Sequence, residues 1–133
     1  DSLDYPIFTG LALDDLKDKN SPGLELVKGG ILLWDMAGNS KVFPRNQISE
    51  FHIDPAIGLS LTTKKLQQIE FGEDNFEEKF RRLERICAEM GLDFYWFQAL
   101  DLSRTDRIVA RLAKKEGTVI QELELKAEPE GAQ

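Results

Sequence analysis

Leu66-Gln67-Gln68-Ile69-Glu70-Phe71-Gly72-Glu73-Asp74-Asn75-Phe76-Glu77-Glu78-Lys79-Phe80-Arg81-Arg82-Leu83-Glu84-Arg85-Ile86-Cys87 decides the fold. Ile69 and Phe71 alternate with Glu70, the period of a strand with one wet face. Beyond Gly72 the period changes. Phe76, Phe80, Leu83, Cys87 and Met90 follow one another at steps of four and three, which puts them on one face of a helix. Asp74 is placed to act as N-cap with Glu77 as capping-box partner, and Glu77/Arg81 and Glu78/Arg82 are acid-to-base pairs at i,i+4. Gly91 is a natural terminator, so the helix is predicted over about 74–90. Its apolar stripe must pack on something flat.

Working back toward the N-terminus, Gln47 to Phe71 keeps the period of two. Ile48, Phe51 and Ile53 form a strand with an irregular step that suits a bulge, and Asp54-Pro55-Ala56-Ile57-Gly58 reads as a turn. Leu59 and Leu61 alternate with Ser60 and Thr62, completing an antiparallel meander. Ser21-Pro22 is a helix start, and Leu24, Val27, Ile31 and Trp34 recur at helical spacing, which predicts a first helix over about 22–37. Gly29 and Gly30 in its middle imply a kink or very close packing. Tyr5 to Gly10 reads as an extended lead-in along an edge, and residues 11–20 as a solvated connection or one helical turn.

Toward the C-terminus, Phe94 to Leu102 reads as an aromatic-rich strand, and Ile108, Ala110 and Leu112 alternate with Arg107, Val109 and Arg111. Lys114 to Gly117 reads as a turn into a last strand over 118–126, and 127–133 as a disordered tail. These patterns are satisfied by an α+β architecture, an antiparallel or mixed sheet of about five to six strands with two helices on one face.

Composition narrows the function. The 133 residues carry a formal charge of −7, which argues against nucleic acid because phosphate binding needs a clustered basic face. Arg81, Arg82 and Arg85 cluster, but interleaved acids make a solvated helix face the better reading. The apolar stretches are too short to cross a bilayer, which predicts a soluble piece. It begins with Asp and shows no signal peptide, as expected of a segment of a longer protein. Cys87, the lone cysteine, falls on the apolar stripe, where a buried and inert thiol is expected.

Candidate chemistry is sparse. Glu50, His52 and Asp54 would share one side of a strand and could orient an imidazole for acid–base work, as in a small hydrolase or ligand-binding domain. No serine or cysteine nucleophile stands near them in sequence, and a polar strand face explains them better. The run Phe94-Tyr95-Trp96-Phe97 points elsewhere: in a strand, adjacent aromatics face opposite ways, so some would lie away from the helices and could meet a partner. Arg107-Ile108-Val109-Ala110-Arg111, if at the sheet edge, could accept a strand from another protein.

Taken in order, Tyr5 to Gly10, Leu59-Ser60-Leu61, Ile69 to Gly72, Asn75 to Leu83, Leu100-Asp101-Leu102 and Asp106 to Arg111 resemble the FtsQ/DivIB family of bacterial cell-division proteins. The resemblance implies the periplasmic β domain (residues 1–126) of a single-pass inner-membrane protein of the division septum, without its membrane helix and polypeptide-transport-associated domain. It implies a scaffold with no enzymatic activity, cofactor, metal or small-molecule substrate. Its implied partners are division proteins of the FtsB and FtsL type, in a complex that helps regulate septal peptidoglycan synthesis. In that family a late strand offers its edge to a short strand of FtsB, which by position implies Ser103, Arg104, Thr105, Asp106, Arg107, Ile108 and Val109, with Arg111 adding charge complementarity. Two departures stand out. No base occupies the 54–58 turn, where some relatives place one to meet an acidic partner group, and the chain continues past Leu112, where the family domain often finishes. If 118–126 pairs beside 107–112, it occupies the docking edge, and binding shifts or requires displacement.

Overall fold

A computed structural model describes residues 5–112 and the backbone of 122–126. The expected turn at 114–117 and tail at 127–133 lie outside the described residues. The architecture is α+β, a mixed sheet with two helices. In chain order the strands are β1 (Phe8–Thr9), β2 (Ile48–Asp54), β3 (Gly58–Thr63), β4 (Gln68–Gly72), β5 (Phe97–Asp101), β6 (Arg107–Leu112) and β7 (Glu122–Lys126), and they lie side by side in that same order. Six have five or more residues and β1 is a two-residue edge. β2–β3–β4 is the expected antiparallel meander. The β1–β2 and β4–β5 pairs are parallel. A parallel pair cannot be closed by a tight turn, and each of these crossovers carries a helix: α1 (Pro22–Gly38) in the first, α2 (Phe76–Met90) in the second.

One core joins both helices to the sheet. Phe51, Ile53, Leu59, Leu61, Ile69, Phe71, Leu100, Ile108 and Ala110 are buried together with Leu26, Leu33 and Trp34 of α1 and Phe80, Leu83 and Ile86 of α2. The irregular step in β2 is a register shift between Ile48 and Glu50, which lets Ile48 and Phe51 both be buried. A second shift between Phe97 and Ala99 does the same for Phe97 and Leu100.

α1 starts as expected, with the Ser21 side chain accepting from the Leu24 amide and Pro22 at the first helical position. Its stripe is rotated from the expected one. Leu26, Gly29, Gly30, Leu33, Trp34 and Ala37 are buried, while Ile31 is 44% exposed. The glycine pair decides the phase, because it allows very close packing: a Cβ on Gly29 would lie 2.3 Å from the Phe76 ring and one on Gly30 2.5 Å from the Phe8 ring.

At the start of α2, Asn75 is the residue before the first turn, in the left-handed region at φ 55, and no side chain caps it. Asp74 therefore is not the cap. Its backbone and side-chain oxygens instead accept from the Lys79 ammonium. The expected ion pairs form, Arg81 to Glu77 at 2.6 Å and Arg82 to Glu78 at 3.1 Å. Met90, expected at the end of the apolar stripe, is exposed.

Residues 91–96 wind as a 3-10 helix rather than extending the strand back to Phe94. Three residues per turn bring Phe94 and Phe97 to the same side, both buried and edge to face at 6.1 Å. Phe94, Tyr95 and Trp96 therefore do not alternate across a strand as expected. Trp96 is left 67% exposed.

Candidate functional site

The sheet has a covered face and a polar one, and the polar face carries the candidate residues. Strand register lines up a transverse row on it: Thr9, His52, Ser60, Glu70, Asp101 and Val109 are successive cross-strand partners from β1 to β6. Hairpin pairing thus sets Ser60 directly opposite His52. Linear distance hid this neighbour, which only the β2–β3 register could have revealed. No side-chain hydrogen bond joins Ser60 to His52 among the described residues. The Thr9 hydroxyl is the group that both strand residues meet, donating to Glu50 at 2.8 Å and lying 3.0 Å from His52 Nδ1. Asp54 turns away to accept from the Ala56 amide inside its own turn. The Glu50, His52 and Asp54 set is therefore divided between a strand contact and a turn. Among the described residues no three His, Cys, Asp or Glu side chains are placed to hold a metal ion.

Further along the row, a groove of about 550 Å³ crosses β4 to β6, lined by Gln68, Glu70, Gln98, Asp101, Val109 and Arg111. Burial raises the Glu70 carboxyl above its ordinary range and the neighbouring Asp101 carboxylate raises it further, while His52 pulls it down. Asp101 also accepts from both the amide and the hydroxyl of Ser103, fixing the chain as it leaves β5.

The segment from Ser103 to Arg111 follows. Arg104, Thr105, Asp106, Arg107 and Arg111 are exposed, Ser103 and Val109 half-buried, and Ile108 belongs to the core. Arg104 grips Asp106 with two donors, at 3.0 and 3.2 Å, and this bond holds the Asp106 carboxyl below its usual range. β6 is bonded on both sides. β5 runs antiparallel along one, and β7 along the other, pairing Arg107 with Lys126 through to Arg111 with Glu122. The extra C-terminal segment thus lies beside 107–111, and among the described residues β7 forms that end of the sheet.

Sequence reading missed two buried cations on α2. Lys79 is 1% and Arg82 4% exposed. The Lys79 ammonium donates to the carbonyls of Phe71 and Asp74 at 2.8 and 2.6 Å. Burial lowers its pKa and Asp74 opposes the shift. Arg82, expected on a solvated face, instead donates to the carbonyls of Arg104 and Thr105 at 3.2 and 2.9 Å. Helical position was the available signal, since 79, 82, 83 and 86 share one face, but the acceptors lie far along the chain.

The family model described as cell division protein FtsQ/DivIB, C-terminal, matches residues 1–103, stopping at the first of the candidate docking residues. The cell division protein FtsQ of Geobacter sp. (strain M21) is 30% identical over 112 residues, covering 84% of this chain and 41% of the relative. That of Anaeromyxobacter sp. (strain K) is 28% identical over 120 residues, covering 88% and 41%. That of Syntrophotalea carbinolica is 26% identical over 113 residues, covering 84% and 40%. The chain spans about two fifths of the length of these relatives. With the family model matched over most of its length, the chain belongs to the FtsQ/DivIB family of cell-division proteins, to whose C-terminal domain it corresponds.

Proposed function

We propose that this domain is a non-catalytic scaffold of the bacterial division machinery, working on the periplasmic side of the inner membrane at the septum. It takes a partner of the FtsB and FtsL type by strand addition at the β6 end of its sheet. Family membership supports the cell-division role. The observation that carries the docking mode is the position of β6, which among the described residues has β7 alone between it and the end of the sheet. In this reading the partner's strand takes the place of β7. Main-chain bonds along 107–111 then provide most of the affinity, Arg107 and Arg111 favour an acidic partner segment, and Val109 offers a small apolar contact beside the groove.

Amide hydrogen exchange during a titration with the C-terminal peptide of the cognate FtsB-type protein tests this. Strand replacement keeps the amides of 107–111 protected and releases those of 122–126. A peptide that leaves both sets unchanged at saturating concentration rules the mode out.

A further inference from the structure

The loop between β5 and β6 is fastened at more points than a connection needs. Asp101 holds Ser103 at its start, and Arg104 and Asp106 clamp one another at its end. Between these, Arg82 reaches from α2 and draws in two successive carbonyls, those of Arg104 and Thr105. Its second Nη2 contact is the Glu78 carboxylate at 3.1 Å. The side chains of Arg104 and Thr105 are exposed.

Stability alone is a poor reason for an arginine here. Its Nε is buried with no hydrogen-bond partner among the described residues, and an unmatched buried donor is destabilising. A buried, paired cation can often be replaced by an apolar side chain of similar size without loss, provided its acceptors are satisfied elsewhere. The acceptors here can be: Arg104 and Thr105 lie at the surface, and the Glu78 side chain is 46% exposed, so water can take over. What an apolar replacement cannot supply is the direction of the two carbonyls.

We propose that Arg82 is a positioning residue of the docking site, holding 103–106 in the shape that a partner strand needs as it enters β6. The inference rests on the strand-addition reading and adds to it a control point on α2. Pre-ordering this run-in removes part of the entropy loss on binding, so losing it raises Kd without unfolding the domain.

Arg82→Met is the test, with Arg82→Lys as the conservative companion. In the Met variant Tm is unchanged or raised, amide exchange quickens at 103–107 while the core amides of β3 and β4 stay protected, and Kd for the cognate FtsB-type C-terminal peptide weakens about tenfold. Lysine, able to reach one carbonyl, restores part of the protection and part of the affinity. Three results overturn the proposal. One is a fall in Tm with protection lost across the core, the mark of a structural role alone. Another is faster exchange at 103–107 with the peptide bound as tightly as before. The third is a wild-type chain that does not bind the peptide at all, which removes the docking reading together with its control point, whereas the second removes the control point only.

Discussion

Gly30 of α1 and Phe8 of β1 pack so closely that a methyl group on the glycine would stand 2.5 Å from ring carbon Cε1. The same ring stacks on Phe51 with centroids 5.4 Å apart, so it has little room to retreat. Gly30→Ala gains about 1 kcal/mol of helix propensity and meets an overpacking cost of about 1–3 kcal/mol. The expected outcome is a net loss, read as a Tm lower by about 4 °C. In a Phe8→Leu background, where the ring edge is gone, the same substitution becomes neutral or stabilising. A cost independent of residue 8 would mean that the backbone, not the ring, resists the methyl group.

Glu70 makes the domain pH-sensitive in a direction that can be worked out. Its carboxyl pKa is raised on folding, so the folded state binds the proton more tightly than the unfolded chain. The associated stability is complete below the unfolded value of 4.5 and is lost as pH rises through the higher folded value. At pH 7 the charged group is a burden, which among the described residues His52 opposes. Glu70→Gln therefore stabilises by up to about 1 kcal/mol at pH 7, after allowing for solvent screening, and has little effect at pH 4. Urea titrations at the two pH values measure the difference. A loss at pH 7 would show that the carboxylate is bonded rather than merely desolvated.

Cys87 is buried and its thiol is pushed up to about 12, first by burial and then by the nearby Glu84 carboxylate. At pH 8 almost no thiolate forms in the folded protein. Labelling by an aromatic disulfide reagent should run at least about 100-fold slower than in denaturant, and its rate should follow the opening equilibrium as urea is added. Fast labelling of the folded chain would place this thiol at the surface.

Periodicity exposed the parts of this fold whose signal is local. α2, the β2 irregularity and the β2–β4 meander are legible because each buried position lies within a turn or a strand of the next. The stripe of α1 was misjudged because Ile31-Leu32-Leu33-Trp34 is apolar all round, leaving the phase to Gly29 and Gly30, whose packing depends on rings brought from β1 and α2. Phe94 to Trp96 carries strong β-propensity, yet winding after Gly91 buries Phe94 and Phe97 together, and tertiary burial overrides propensity. Of the candidate site, alternation around Val109 was visible. The Arg82 contacts were not, because a helix position cannot announce carbonyl acceptors more than twenty residues away.

Val109 pairs with Asp101 on one side and Glu124 on the other, so the outer amides and carbonyls of β6 are shared with β7. If a partner strand takes the place of β7, the two compete for the same ladder. A partner's apparent affinity is then reduced by the fraction of time the ladder is closed. Ending the chain after Leu112 removes the competitor, and the cognate peptide should bind at least about tenfold more tightly, a difference of about 1.4 kcal/mol. Because a bare strand edge invites self-pairing, the measurement belongs at low protein concentration with the mass checked in solution. The alternative geometry, a partner added outside β7, predicts the reverse: the shortened chain loses its binding strand and the peptide no longer binds. An affinity unchanged by the truncation would remove both, since neither geometry leaves 122–126 without effect.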